Sequence, residues 1–122
     1  MMDFYREDIL DHARNPRNLG KLPNPTLEAH VPNPLCGDVV DLTLVLEGNP
    51  PKVIRVGFEA DACAISVAAA SILTEKIKGK TKKELEKLTE KEVLSWFGGS
   101  LTPSRVECAL LPLKALREAL GE

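Results

Sequence analysis

The chain has 122 residues, of which 16 are basic and 18 are acidic, giving a formal net charge of -2. This near-neutral balance argues against binding to nucleic acid or to an anionic membrane, and one Trp, one Tyr and three Phe are too few aromatics for a base-stacking surface. The length predicts a single domain, residues 1–122, that is large enough to bury a core without disulfides.

The first predicted elements are a helix and a short strand. Tyr5, Ile9 and Ala13 recur at a four-residue spacing that indicates an amphipathic helix. Pro16 ends this helix, because a residue that precedes proline is pushed out of the helical region. A connection containing glycine and proline then leads to a short alternating strand at residues 27–31.

Two further strands are predicted on either side of the turn at residues 48–51. Apolar residues alternate along both of them, at Leu42, Leu44 and Leu46 in one and at Ile54, Val56 and Phe58 in the other. Strands this close in sequence form an antiparallel meander, with these apolar positions facing the core. We expect the other face of the sheet to lie partly in water.

The periodicity becomes helical after the third strand. Residues 64–77 carry no charge before Glu75, which is typical of a helix buried on nearly all sides, and Gly79 fits its end. Residues 75–92 mix seven lysines with five glutamates, a pattern that indicates an exposed pair of short helices rather than a binding patch.

A closing helix is indicated by four apolar residues that share one face, Ala109, Leu113, Leu116 and Leu120. Proline is tolerated in the first turn of a helix, where its missing N–H would have no partner in any case. Pro112 therefore predicts that this helix begins near Cys108.

The three cysteines, Cys36, Cys63 and Cys108, each fall at the boundary of a predicted element. An odd number of cysteines, with no signal peptide and no membrane-spanning run, predicts a reduced intracellular compartment. Thiols in such a compartment more often bind metal or carry sulfur than form structural disulfides. The pattern therefore favours a site built from these side chains.

Helix starts favour an anion, so Cys63 and Cys108 at predicted helix starts are biased toward the thiolate. Gly37 allows a sharp turn that brings Cys36 and Asp38 toward one point. Three thiolates and a carboxylate can complete a tetrahedral site for zinc or hold an iron–sulfur cluster.

Each of these residues also has a simpler interpretation, which the sequence alone leaves open. A single cysteine often behaves as a small buried hydrophobic residue, and Asp38 alone would more often cap a turn. His12 and His30 lack partners at metal-ligand spacing, so we expect them to be surface or capping residues.

Three blocks of sequence strengthen the metal interpretation: Asn-Pro-Leu-Cys-Gly-Asp at residues 33–38, Cys-Ala-Ile-Ser at 63–66 and Cys-Ala-Leu-Leu at 108–111. Together with the segment from Tyr5 to Asn18, they resemble the IscU/SufU/NifU-N family of iron–sulfur cluster assembly scaffolds. The resemblance covers essentially the whole chain. It implies an α+β fold, a small three-stranded antiparallel sheet packed by helices, with the cysteines gathered at one exposed end.

The resemblance implies a cytoplasmic scaffold rather than an enzyme. Such a protein accepts sulfur from a cysteine desulfurase, binds iron, builds a transient 2Fe–2S or 4Fe–4S cluster and transfers it to apo-proteins. The matching positions imply Cys36, Asp38, Cys63 and Cys108 as the ligands. We predict Cys108 as the persulfide acceptor, because it is placed at a helix start.

Departures from the family pattern bear on its subfamily. The histidine that precedes the last cysteine in IscU-type members is replaced by Glu107, and residues 101–105 lack the Leu-Pro-Pro-Val-Lys chaperone motif. The second difference argues against dependence on a specialised Hsp70. Retention of Asp38 without the histidine is more similar to SufU-type members, although the stretch from Cys63 to Cys108 is too short for their extra segment. The alternative function is therefore that of a SufU-type zinc-dependent sulfur acceptor, a sulfurtransferase partner of the desulfurase.

Overall fold

A computed structural model describes residues 7–33, 37–98 and 101–121 of the chain. Its elements in chain order are α1 (Glu7–Arg14), β1 (Leu27–Pro32), β2 (Val39–Glu47), β3 (Lys52–Asp61), α2 (Ala64–Ile77), α3 (Lys82–Glu86), α4 (Glu90–Ser95) and α5 (Pro103–Ala119). The strands form one antiparallel sheet in the order β1-β2-β3. The predicted α+β class is confirmed, while Tyr5 of the predicted first helix lies outside the described residues.

Helices α2 and α5 pack against each other and against the sheet. Helix α2 also contacts β3 and α1, and α5 contacts β1 and β2. Most of α2 is buried, as its lack of charge predicts, and its bounds match the predicted helix at residues 64–77. Within the described part of the chain, no helix is both long enough and apolar enough to cross a membrane.

A β-bulge changes which residues of β3 face the core. Arg55 lies opposite Val45, whereas Val53 lies opposite the next residue of β2, so Ile54 is extra. The exposed fraction is 44% for Ile54 and 1% for Val53. The predicted inward position of Ile54 is wrong, because the extra residue inverts the alternation that its neighbours follow.

Residues 18–22 cover part of the sheet face that the alternation predicts to lie partly in water, called here the second face. The N–H of Phe58 donates to the carbonyl of Asn18 at 3.0 Å, and the N–H of Gly20 donates to the carbonyl of Phe58 at 2.7 Å. These bonds hold the segment along β3. A β-carbon on Gly57 would clash with the carbonyl oxygen of Gly20, so glycine is needed for this approach. The second face is therefore less open to water than the alternation predicts.

Three hydroxyl side chains interrupt the apolar α2, and Ser66, Ser71 and Thr74 are all fully buried. The hydroxyl of Ser71 accepts the N–H of Arg17 at 2.9 Å and bonds Nδ1 of His12 at 2.7 Å. The hydroxyl of Thr74 donates to the carbonyl of Ser71 at 2.7 Å. This network attaches α1 and the turn after it to α2, and it satisfies groups that would be costly to bury alone.

Helices α3 and α4 form the short, largely exposed pair that the lysine and glutamate pattern predicts. Leu85 of α3 is buried and anchors it to the core. The N–H of Thr81 donates to the carboxylate of Glu84 at 2.9 Å, and this bond lowers the pKa of Glu84 below its usual value. The bond therefore stabilises the fold above the ordinary pKa of a glutamate and is lost as the pH falls through the lowered value.

Helix α5 begins five residues before Cys108. Thr102 is its N-cap and Pro103 occupies its first turn, where a proline costs no helical hydrogen bond. Pro112 lies inside the helix and is buried. The prediction that this helix begins near Cys108 is therefore wrong, because α5 accommodates Pro112 in its packed interior.

Replacing Gly57 with Ala is expected to lower the free energy of unfolding by about 2 kcal/mol, because the added methyl forces residues 18–22 away from β3. Urea denaturation measures this change. The matched control is Ile54→Ala, on the same strand but exposed at the bulge, which is expected to cost less than about 1 kcal/mol. Equal effects of the two substitutions would show that residues 18–22 do not pack on Gly57.

Candidate metal centre

The register of the sheet brings two predicted site residues to the same end. Val39, at the start of β2, lies opposite Asp61, at the end of β3. Asp38 immediately precedes β2, and Cys63 follows β3 by two residues. Both side chains therefore belong to the short connections at one end of the β2–β3 pair.

Cys63 is the N-cap of α2, and its own side chain makes no capping hydrogen bond. Its N–H donates to Oδ2 of Asp38 at 3.2 Å, so the carboxylate holds the start of the helix. Gly37 has a φ of 76°, a value that favours glycine and turns the chain toward Asp38. The predicted placement of Cys63 at a helix start is confirmed.

Cys108 reaches the same place from α5. It lies in the second turn of that helix and is 8% exposed, so it is the more buried of the two thiols described. The helix-start argument for its reactivity therefore does not apply. Packing of α5 against α2 positions Cys108 instead.

The donor atoms of Asp38, Cys63 and Cys108 all lie within 4.8 Å of one another. Zinc–sulfur bonds of about 2.3 Å separate the donors of a tetrahedral site by about 3.8 Å, so movements of about 1 Å or less would let one ion bind all three donors. A carboxylate has two oxygens and several lone pairs, so the bond from Cys63 leaves Asp38 able to bind metal. Two soft sulfurs and one hard oxygen suit zinc or iron.

Cys36, the remaining predicted ligand, lies outside the described residues. The residues that flank this gap are close together, since the N–H of Gly37 donates to the carbonyl of Asn33 at 2.8 Å. The N–H of Asn33 in turn donates to the carbonyl of Asp38 at 2.6 Å. Cys36 as a ligand stays a prediction.

Ser66 is a residue of this centre that the sequence reasoning missed. Its hydroxyl donates to the carbonyl of Cys108 at 2.8 Å and lies 3.8 Å from Sγ of Cys63. Two signals in the sequence mark it: a polar side chain in a helix that is buried nearly all round, and a proline, Pro112, four residues after Cys108.

The sequence matches the family described as the NifU-like N terminal domain over residues 4–122. The chain belongs to the NifU-like N-terminal domain family. Of its relatives, the iron–sulfur cluster assembly scaffold protein IscU 1 of Archaeoglobus fulgidus is 34% identical over 117 residues, 96% of this chain and 74% of the relative. The zinc-dependent sulfurtransferase SufU of Bacillus subtilis is 34% identical over 136 aligned positions, 98% of this chain and 90% of the relative.

The fold of the family is also seen in a crystal structure from Fervidobacterium islandicum AW-1. That protein, proposed as an iron–sulfur cluster assembly scaffold for the SUF system, superposes with a TM-score of 0.80 at 32% sequence identity. The comparison covers 96% of both chains. The predicted resemblance to the IscU/SufU/NifU-N family is confirmed.

The histidines of this NifU-like domain have partners away from the two cysteines. Besides its bond to Ser71, His12 lies 3.7 Å from a carboxylate oxygen of Glu75, and Nδ1 of His30 bonds Asp41. Glu107, which precedes Cys108, pairs with Lys114 at 3.1 Å. Within the ranges that the structure describes, Asp38, Cys63 and Cys108 are the only group of three or more such side chains whose donor atoms lie close enough together to hold a metal ion.

Asp38→Asn is expected to weaken zinc binding by about tenfold or more, because an amide oxygen is a poorer ligand than a carboxylate. The amide can still accept the N–H of Cys63, so the melting temperature of the metal-free protein should change little. Competition with a chelating dye measures the affinity. Asp61→Asn, an exposed carboxylate at the same end of the sheet, is the control, and equal affinity losses would exclude Asp38 as a ligand.

Proposed function

We propose that this protein is an iron–sulfur cluster assembly scaffold that accepts sulfur from a cysteine desulfurase, binds iron and transfers the assembled cluster to apo-proteins. The observation that carries the proposal is that the donor atoms of Asp38, Cys63 and Cys108 lie close enough together to hold one metal ion. Relatives named as assembly scaffolds match nearly the whole chain, which supports the same function.

The chemistry of the donors supports a cluster that is cargo rather than permanent structure. Thiolates bind iron–sulfur centres strongly, whereas a carboxylate is a harder and weaker ligand for them. We propose Cys36 as the third thiolate, on the basis of the sequence motif at residues 33–38. A set of ligands drawn from two loops and a helix can open when one loop shifts, so Asp38 would make the cluster easy to release.

A second candidate function is that of a zinc-dependent sulfur acceptor. The observations that favour it are the mixed donor set of the centre, the presence of Glu107 where IscU-type members have histidine, and the similarity to the Bacillus subtilis SufU. In this role zinc would hold the thiols until the desulfurase displaces one of them as a nucleophile. The protein would then act as a sulfurtransferase partner of the desulfurase.

The scaffold function is our first choice because the alignment with SufU inserts residues of SufU within the stretch that this chain covers. The alignment with SufU runs over 136 positions, whereas this chain has 122 residues, so the SufU relative has residues that this chain lacks. We propose a cytoplasmic site of action, with a desulfurase as sulfur donor and apo-proteins as acceptors. Residues 101–105 lack the chaperone motif, so the proposal includes no specialised Hsp70.

Anaerobic reconstitution with iron, cysteine and a desulfurase is expected to give the visible absorption of an iron–sulfur cluster. In Asp38→Ala, transfer to an apo-ferredoxin should be about fivefold slower, because the weak oxygen ligand is gone. Asp61→Ala is the control, with transfer at the wild-type rate. An unchanged transfer rate in Asp38→Ala would refute the role of Asp38, and retained zinc without cluster absorption would favour the sulfur-acceptor function.

Cys108 is the persulfide acceptor that the sequence predicts, and it needs a direct test because the structure removes the helix start on which that prediction rested. Its thiolate would attack the outer sulfur of the desulfurase persulfide, the sulfur–sulfur bond would break, and the desulfurase thiolate would leave. Peptide mass spectrometry after reaction with desulfurase and cysteine locates the added sulfur, and Cys108→Ser should lower total labelling by more than about half. Cys63 is more exposed and is the competing acceptor. Sulfur found on Cys36 or Cys63 alone would overturn the assignment.

A further inference from the structure

Pro112 places an unusual demand on α5. Proline has no N–H and its ring crowds the carbonyl four residues earlier, which in this helix is the carbonyl of Cys108. The backbone of α5 therefore cannot supply the hydrogen bond that this carbonyl would receive in a regular helix. The affected peptide group belongs to a residue of the candidate metal centre.

Ser66 of α2 supplies a donor to that carbonyl. Its hydroxyl donates to the carbonyl oxygen of Cys108 at 2.8 Å, and the Ser66 side chain is fully buried. The bond crosses between the two helices that carry Cys63 and Cys108. It therefore fixes the position of α5 at Cys108 relative to the start of α2 at Cys63.

The same hydroxyl also faces the thiol of Cys63, with 3.8 Å between Oγ of Ser66 and that sulfur. A hydroxyl has one proton and two lone pairs. Because its proton is donated to the Cys108 carbonyl, the oxygen can only accept from the Cys63 thiol. One buried oxygen thus contacts both of the residues whose thiols converge.

We propose that Ser66 is a positioning residue that sets the separation of the Cys63 and Cys108 sulfurs, replacing the helical hydrogen bond that Pro112 removes. The proposal rests on the proposed function only in assuming that the two thiols act together on one ligand. Ser66 need not touch iron or sulfide itself. It acts through the backbone of Cys108 and the side chain of Cys63.

Ser71 provides a matched control for the loss of a buried hydroxyl. It lies on the same helix, is equally buried, and accepts the N–H of Arg17 at 2.9 Å. Loss of either hydroxyl leaves a buried partner without its bond, so both substitutions should lower stability. Only the loss of Ser66 should also change the relation between the two thiols.

The test uses phenylarsine oxide, whose trivalent arsenic bridges two neighbouring thiols with release of one water molecule. Metal-free protein in a Cys36→Ser background presents only Cys63 and Cys108 to the probe. Ser66→Ala is expected to weaken binding of the arsenical by about tenfold, and Ser71→Ala by less than about twofold. Competition with a small dithiol measures both affinities, and circular dichroism confirms that each variant is folded.

Pro112→Ala separates positioning from general stability. It restores an N–H that can donate to the Cys108 carbonyl, so Ser66→Ala combined with Pro112→Ala should bind the arsenical within about threefold of the parent. If Ser66→Ala alone does not fold, folding and binding of the double variant would support the proposal. Equal affinities of Ser66→Ala and Ser71→Ala would overturn it, as would a double variant that binds no better than Ser66→Ala or does not fold.

The probe needs no iron, sulfide or zinc, so failure of this inference can be told apart from failure of the proposed function. Wild-type protein that bridges the arsenical but takes up neither a cluster nor zinc would overturn the proposed function and support the pairing of the thiols. Weaker binding of the arsenical in Ser66→Ala, with rescue by Pro112→Ala, is the result that the proposal requires.

Discussion

Helix α2 has no charged side chain from Ala64 to Thr74, so it is stable only where other elements cover it on nearly all sides. The sheet, α1 and α5 provide that cover, and their packing on α2 sets the arrangement of the whole molecule. Its N-terminus lies where β3 ends, and this places Cys63 beside the start of β2. The candidate centre is thus a consequence of burying one helix.

Buried hydroxyls make this arrangement specific. The hydrophobic effect has no direction, so hydrogen bonds add a constraint on the position of α2 that burial of apolar area alone does not supply. Ser71 and Thr74 fix the turn after α1, whereas Ser66 fixes α5 at the level of Cys108. Each hydroxyl has a defined partner, and a shift of the helix would leave that partner buried without its hydrogen bond. The polar residues of α2 therefore help to determine where α1 and α5 pack on its apolar surface.

The errors in the sequence-based analysis have physical causes. The predicted alternation put Ile54 in the core, but the bulge there inverts which residues of β3 face inward. No residue type in the sequence of β3 indicates where the extra residue is inserted. The rule that proline belongs in the first turn placed the start of α5 near Cys108. The helix begins at Pro103 instead, because burial of its apolar face and a donor from α2 compensate for the interior Pro112. Local rules fail where distant residues supply the missing partner.

The sequence by itself determined the α+β class, the buried helix at residues 64–77, the short exposed helices and the choice of the cysteines and Asp38 as candidate ligands. These features depend on periodicity, on charge and on residue type, all of which are local. Tertiary structure decided that Asp38, Cys63 and Cys108 meet, and that Ser66 joins them. Distances between residues far apart in the chain depend on strand register and helix packing, which arise only when the whole core is buried together.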